Sequence, residues 1–152
     1  MFRGEFAMSM DPKGRVAVPT RYRERLAEVS AGRLVLTISL LERCLVAYPF
    51  PEWQRIESSL ENLPGLDPQA QAISHLLIGH ANDCDLDSHG RVLVPPPLRD
   101  FAGLDKRIKV VGQVRKFEIW DDEAWTRRRE ELLGQIGQLQ AQPSEALRNL
   151  VL

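Results

Sequence analysis

The chain has 152 residues, with 20 Lys and Arg against 21 Asp and Glu, and 43% of its residues are apolar. This length fits one compact domain or two very small ones, and the balanced charge with this apolar content excludes a disordered chain. Every apolar run is broken by charge well before the roughly eighteen residues of a membrane span, and a net charge of -1 alone gives no sign of a polyanion-binding protein.

The first part of the chain predicts four short strands and one short helix. Two short runs of alternating apolar residues flank a polar turn that contains glycine, which indicates a β-hairpin. Pro19 ends the second run and fits the first turn of a helix. The predicted elements are strand 6–10, turn 11–14, strand 16–18, a helix from Pro19 through Leu26, and strands 34–38 and 44–48.

Two helices are predicted next. Pro51 suits a first turn, and apolar residues recur at helical spacing after it, which predicts a helix over residues 51–63. Asp67 is a suitable cap for a second helix, which is expected to stop at Gly79. We expect these helices to provide packing and assembly surfaces.

The last part of the chain repeats the series of strands and ends in a third helix. The predicted elements are strand 84–86, turn 87–90, strand 92–94, a helical turn at Pro95 to Pro97, strands 108–111 and 117–120, a helix that starts at Asp121 or Asp122 and has an apolar stripe through Leu139, and a fraying tail near Pro143.

The series recurs because the sequence contains an internal repeat. Residues 11–23, DPKGRVAVPTRYR, align without a gap with residues 87–99, DSHGRVLVPPPLR, and seven of thirteen positions are identical. The predicted organisation is a first module at 5–52, a helical connection at 53–80, a second module at 81–124, and a C-terminal helix and tail at 125–152. One module is too small to bury a core alone, so the two copies are expected to intertwine or to pack as one barrel. The predicted class is α+β, with a pseudo-symmetric, barrel-like core of short strands and flanking helices.

The neutral total conceals two basic segments. Residues 1–25 contain six cations and three anions, and residues 87–116 contain seven cations and three anions. A surface potential depends on where charges lie and is screened over about 8 to 10 Å, so basic patches can coexist with a neutral total. These segments indicate either a polyanion-binding surface or ordinary solvated faces.

The sequence offers no catalytic or metal-binding constellation. None of its three histidines pairs with Cys44 or Cys84 in a zinc-like arrangement, and it lacks a nucleophile elbow and a phosphate-binding glycine loop. His80 and Cys84 are four residues apart, but a strand is predicted to begin between them, which disfavours a metal site. Two cysteines are too few for a disulfide scaffold and are expected to be buried, reduced thiols in the cytoplasm. We therefore expect no cofactor and no enzymatic activity.

Both modules contain the same Asp-x-x-Gly-Arg turn. Gly14 and Gly90 permit a positive φ or a close backbone approach, and the arginine that follows each of them lies where a strand begins. Asp11 and Asp87 are expected to accept backbone N–H bonds and to shape the turn. Arginine offers a planar fork of donors to phosphate or to the edge of guanine. A structural arginine would instead pair with the Asp of its own turn, and from the residues alone both alternatives stay open.

The turn, the alternating valines, the proline and the later arginine resemble the AbrB/SpoVT family of swapped-hairpin DNA-binding domains. The duplication in one chain, the opening MFRG, and the segments LIGHA at 77–81 and KFEIW at 116–120 resemble the MraZ proteins. The resemblance implies a bacterial transcriptional regulator of the division and cell-wall gene cluster that acts at short G-rich direct repeats in promoter DNA. Regulation by occupying promoter DNA predicts a repressor. The resemblance also implies a ring-like homo-oligomer in the cytoplasm, associated with the nucleoid and not with a membrane.

The resemblance also places the turns against DNA. It implies that Arg15 and Arg91 contact base edges and that Lys13 is a nearby donor to phosphate or base. The second module has His89 in place of Lys13, and because His is mostly neutral at pH 7, the second turn is expected to be the weaker electrostatic partner. The remaining candidates for DNA contact are Arg3, Arg23 and Arg99. The last two are equally suited to structural ion pairs.

Each subunit is expected to present one or two such turns, and assembly would align several of them on direct repeats so that avidity strengthens weak single contacts. Two rival functions remain. One is an AbrB-like protein-interaction module or ring scaffold, which the full duplication disfavours. The other is an enzyme acting on a small anion held by Arg15 and Arg91, which the absence of a nucleophile or base in either motif disfavours.

Overall fold

The structure is a computed structural model that describes residues 1–152 and contains eight strands and seven helices. The strands are β1 (Glu5–Ser9), β2 (Arg15–Ala17), β3 (Arg33–Ile38), β4 (Leu45–Pro49), β5 (Asn82–Asp85), β6 (Arg91–Leu93), β7 (Arg107–Gln113) and β8 (Lys116–Asp121). The helices are α1 (Thr20–Ser30), α2 (Phe50–Glu61), α3 (Pro68–Gly79), α4 (Pro96–Ala102), α5 (Asp122–Gly134), α6 (Ile136–Ala141) and α7 (Glu145–Arg148). No helix combines the length and the apolar character that crossing a bilayer requires.

Strands from both halves of the chain build one six-stranded antiparallel sheet, in the order β1-β7-β8-β4-β3-β5. Its two outer pairs join the halves, since β1 pairs with β7 of the second half and β5 pairs with β3 of the first half. Neither half could form this sheet alone. The two copies therefore intertwine, as their small size predicts.

A separate two-stranded ribbon, β2 with β6, joins the halves a second time. The ribbon is antiparallel and its central pair is Val16 opposite Val92. These two valines are equivalent positions of the repeat, so the ribbon lies on the pseudo-two-fold axis that relates the modules.

The α+β class that the sequence predicted is confirmed, but the predicted barrel-like closure is absent, because the sheet is open. Its edge strands are β1 and β5, and the strands that follow them in the chain, β2 and β6, pair with each other instead of extending the sheet. Only a single bridge, Met10 to Val16, connects the end of β1 with β2. The edges are therefore linked by the ribbon and not by a continuous ladder.

The helices between the modules lie close to their predicted bounds. The helix predicted over 51–63 ends two residues earlier, at Glu61, and the one predicted after Asp67 extends to Gly79. Oδ2 of Asp67 accepts the backbone N–H of Ala70 at 2.8 Å, which is the expected cap. Pro19 occupies the cap position before α1 rather than its first turn.

The C-terminal helix is shorter than predicted. Residues 1–122 and residues 123–152 form two compact units, and in the second unit the apolar stripe is divided between α5 and α6 at Gln135. Gly134 and Gly137 flank this break, and each glycine disfavours a helix by about 1 kcal/mol relative to alanine. The short helix α7 lies where the sequence predicted a fraying tail.

An aromatic cluster fills one end of the core of the first unit. The ring centroid of Tyr22 lies 5.0 Å from that of Phe2 and 5.2 Å from that of Phe117. The cluster therefore contains residues from both modules. Phe2 is only 3% exposed, and its backbone exchanges two hydrogen bonds with Val114, at 2.7 and 2.9 Å. The N-terminal residues thus close the core by packing and by strand-like pairing.

We expect Phe2→Ala to lower the free energy of unfolding by about 3–5 kcal/mol, the range for truncating a buried aromatic side chain. Arg3→Ala is the matched control, because the neighbouring Arg3 side chain is exposed, and it should change stability by no more than about 0.5 kcal/mol. Urea unfolding followed by circular dichroism measures both variants. Equal stabilities of the two variants would contradict this role of Phe2.

Candidate nucleic-acid interface

The two Asp-x-x-Gly-Arg turns share one backbone geometry. In the first, the N–H of Asp11 donates to the carbonyl oxygen of Arg15 and the N–H of Gly14 donates to that of Asp11, both at 3.0 Å. The corresponding bonds of the second turn measure 2.9 and 3.0 Å. Gly14 has φ +89° and Gly90 has φ +72°, a region that side-chain-bearing residues rarely adopt. Both turns therefore require the glycine for its conformation.

Each turn is also held by its aspartate. Oδ1 of Asp11 accepts the backbone N–H groups of Lys13 and Arg15 at 3.0 and 2.9 Å, and Oδ1 of Asp87 accepts those of the equivalent residues at 2.8 and 2.9 Å. The backbone bond from Arg15 is the main cause that lowers the pKa of Asp11 below its ordinary value of 3.8, and the bond from Arg91 does the same for the pKa of Asp87. Both carboxylates are thus acceptors in their charged form.

The ribbon places the two turn arginines on one outward face. Arg15 lies opposite Leu93 and Arg91 lies opposite Ala17, and residues directly opposite in a ladder share a face. Val16 and Val92, the middle residues of β2 and β6, lie on the other face and are fully buried. Arg15 and Arg91 are therefore diagonal neighbours on the solvent side of the ribbon.

Both arginines pair with the aspartate of their own turn. Nε of Arg15 donates to Oδ2 of Asp11, and Nε of Arg91 donates to Oδ2 of Asp87 at 2.9 Å. A third contact crosses between the turns, with Nη1 of Arg91 3.7 Å from Oδ2 of Asp11. The pairing expected of a structural arginine is thus present. In both turns the bond to the aspartate of the same turn uses Nε and orients the guanidinium, and in Arg91 the terminal Nη1 has the additional contact with Asp11.

The remaining candidates fall into three groups. Lys13 and His89 are exposed at the tips of the two turns. Arg3 is exposed but lies beyond the far end of β1, so the five residues of that strand, at about 3.3 Å each, separate it from the first turn. Arg23 and Arg99 lie close to the turns, but neither forms a salt bridge, which corrects the ion-pair alternative. The structure therefore brings all the candidates except Arg3 to the ribbon.

Two contacts of the turns were not anticipated from the sequence. The N–H of Val94 donates to the carbonyl oxygen of Gly14 at 2.8 Å, and the N–H of Val18 donates to that of Gly90 at 3.0 Å. Each turn is thus bonded to the segment that enters the helix of the other module. The only sequence signal for these bonds is the repeat itself, which gives both modules the same Gly-to-Val spacing.

The thiols and histidines form no centre of their own. Both cysteines are free, and burial raises the pKa of Cys44 and raises that of the half-buried Cys84 to about 11. Nδ1 of His80 lies 2.7 Å from the carbonyl oxygen of Leu76. No group of three or more His, Cys, Asp or Glu side chains is arranged to hold a metal ion.

Comparison with known proteins gives one consistent family. The family model described as MraZ protein, with the further term antitoxin-like, matches the chain twice, over residues 1–76 and 77–147. A protein of Thioalkalivibrio sulfidiphilus named transcriptional regulator MraZ is 49% identical over the full length of both chains. Proteins of the same name from Halorhodospira halophila and Pseudomonas aeruginosa are 47% and 48% identical, also over the full length of both chains.

The lowered pKa of the turn aspartates predicts a pH dependence of stability. Each carboxylate stabilises the folded state fully when the pH is above 3.8, the pKa of the carboxyl group in the unfolded chain. This contribution is lost as the pH falls through the lower pKa of the folded state. We expect the unfolding free energy of the wild-type protein to exceed that of Asp11→Asn at pH 7 and pH 5, and the two to converge below pH 3.8.

Urea unfolding at stepped pH measures this difference. Asp105→Asn, which changes an exposed carboxyl outside the turns, serves as the control and should show no such convergence. A gap between wild type and Asp11→Asn that is constant from pH 7 to pH 3 would contradict the role assigned to the Asp11 carboxylate.

Proposed function

The chain belongs to the MraZ family, and on that premise we propose that it is a transcriptional regulator that binds promoter DNA through its two arginine-bearing turns. The observation that supports this most directly is the outward face of the ribbon. There Arg15 and Arg91 lie side by side, each oriented by the aspartate of its own turn. Regulation is not an enzyme class, and the chemistry of this face is that of binding.

The charge of the ribbon face favours a polyanion. The turns and the arginines packed on them carry the cations Arg15, Arg91, Lys13, Arg23 and Arg99 and the carboxylates of Asp11 and Asp87, and two further exposed carboxylates, Asp100 and Asp105, line a cavity with Asp11 and Arg99. The carboxylates of Asp11 and Asp87 are already engaged with backbone N–H groups and with the arginines. Positive potential over such a face attracts phosphate even when the net charge of the whole chain is -1.

The geometry favours different roles for different cations. An arginine fork suits the O6 and N7 atoms of guanine, and one such bidentate contact discriminates by about 1–3 kcal/mol. A lysine ammonium is a point charge that suits phosphate. We therefore assign base contact to Arg15 and Arg91 and phosphate contact to Lys13, with His89 making the second turn the weaker partner at neutral pH.

The target that we propose is a set of short G-rich direct repeats in the promoter of the bacterial division and cell-wall gene cluster. This target rests on the resemblance of the chain to MraZ proteins and on the preference of arginine for guanine. Occupation of the promoter would repress transcription, and binding would place the protein at the nucleoid.

We also propose that the protein acts as a ring-like homo-oligomer. A single ribbon face offers few contacts, so several aligned faces are needed for tight binding to repeats. The apolar helix α3 supports self-association, because it has no buried residue. Ile73, Leu76 and Ile78 are 38%, 44% and 42% exposed, and an apolar surface of this kind is typical of an interface.

Substitution of Arg15 tests the base contact. The DNA probe is a duplex from the promoter upstream of the protein's own gene. We expect Arg15→Ala to weaken binding to this duplex by about 1–3 kcal/mol per contact. Arg91→Ala should have a smaller effect. Arg15→Lys is the matched control, because it keeps the charge but not the fork, and it should recover non-specific binding only. Fluorescence anisotropy measures affinity, and wild-type affinity of Arg15→Ala with unchanged oligomer size would overturn the assignment.

The salt dependence tests the phosphate contacts. The logarithm of the association constant should fall linearly with the logarithm of salt concentration, with a slope of about -0.9 per neutralised phosphate. Lys13→Ala should reduce that slope by about one per engaged turn, and His89→Lys should increase it. Affinity that does not change between 50 and 200 mM salt would be incompatible with DNA binding through this face.

A further inference from the structure

Each turn is held in place by the other half of the chain. The helices that follow the ribbon, α1 and α4, each direct one arginine towards the turn of the opposite module. Arg99 of α4 lies against Gly14, and Arg23 of α1 lies against Gly90. These contacts occur beside the crossed backbone bonds from Val94 to Gly14 and from Val18 to Gly90.

The approach of the arginines to the glycines is very close. A Cβ atom at Gly90 would lie 2.2 Å from Cδ and 2.3 Å from Nη1 of Arg23. A Cβ atom at Gly14 would lie 2.8 Å from both Cζ and Nε of Arg99. All four distances are shorter than a van der Waals contact, so a side chain at either glycine would displace the arginine that packs on it. At Gly14 the backbone carbonyl oxygen of Val94, 2.9 Å from the same position, adds a contact that cannot move as a side chain can.

The surroundings of these arginines are unusual for residues that serve only stability. Nε is buried in both Arg23 and Arg99 and has no hydrogen-bond partner. Arg23 donates from Nη2 to Oγ1 of Thr20 at 2.7 Å, and neither arginine has a carboxylate partner. A buried donor without a partner costs free energy. Its occurrence at equivalent positions of both modules indicates that the packing of the guanidinium against the turn serves another purpose.

We propose that Arg23 and Arg99 are positioning residues that act across the pseudo-two-fold axis. Arg23 sets the turn that bears Arg91, and Arg99 sets the turn that bears Arg15. The guanidinium covers the glycine, so the strand behind it cannot shift and the Asp–Arg pair keeps its orientation. The inference rests on the proposed function in one respect, namely that the turns are the DNA contacts.

Each DNA-contacting turn is then a composite of both modules. Its aspartate, glycine and arginine come from one module, and its support comes from the helix of the other. Loss of a supporting arginine should therefore loosen the turn of the other module and leave the turn of its own module unchanged. A phosphate-contacting arginine or a general stabiliser of the fold would not produce this crossed pattern.

Hydrogen exchange of the DNA-free, full-length protein tests the crossed pattern directly. In Arg23→Ala, the amides of residues 87–91 should exchange about tenfold faster, while those of residues 11–15 keep the wild-type rate. Arg99→Ala should show the reverse. Arg21→Ala is the matched control, because it removes an exposed arginine from the same helix, and it should alter neither turn.

A conservative variant keeps the test valid if Arg23→Ala does not fold. Arg23→Lys retains the charge but not the planar group, so it should show the same faster exchange of residues 87–91. Wild-type exchange in both Arg23 variants, or faster exchange of residues 11–15 in either, would overturn the proposal.

Double-mutant cycles on DNA binding extend the test to function. The effects of Arg23→Ala and Arg91→Ala should be non-additive by at least about fivefold in Kd, whereas those of Arg23→Ala and Arg15→Ala should multiply. Equal coupling within and between modules would contradict positioning across the axis. Crossed exchange in a protein that binds no promoter DNA would sustain the positioning role and overturn the proposed function.

Discussion

The antiparallel pairing of β2 with β6, centred on Val16 opposite Val92, is the constraint on which the rest of the structure depends. It buries the two valines completely and leaves Arg15 and Arg91 on the outer face. Because side chains alternate along a strand, a slip of one residue would turn the arginines inward and expose the valines. The cost of burying two charged groups fixes the register, and the register fixes the face that we propose as the DNA contact.

The same pairing explains why the modules cannot be separated. The ribbon draws β2 and β6 away from the edges of the main sheet, and the chain on either side of it crosses to the opposite module. Tyr22 of the first module and Phe117 of the second meet in one aromatic cluster, 5.2 Å apart. Each half thus contributes to the core of the other half and also supports the turn of the other half.

Much of this arrangement could be predicted from the sequence because the repeat is strong. It revealed both turns, and the alternation of apolar residues located all eight strands close to their observed positions. The sequence did not reveal that the sheet is open. Alternation of apolar residues specifies which residues face a core, but it does not specify the partner strand of a short segment such as β2. The packing of Arg23 on Gly90 was also out of reach, because it joins residues far apart in sequence. The division of the last helix depended on the weak propensities of Gly134 and Gly137.

Photo-cross-linking from the ribbon face tests the central claim most directly, which is that this face meets DNA. Leu93 lies on that face and is 57% exposed, whereas Val114, between β7 and β8, is 58% exposed at the other end of β1. A photoreactive amino acid should cross-link promoter duplex when it replaces Leu93 and should not when it replaces Val114. Cross-linking from position 114 alone, or equally from both positions, would contradict the account.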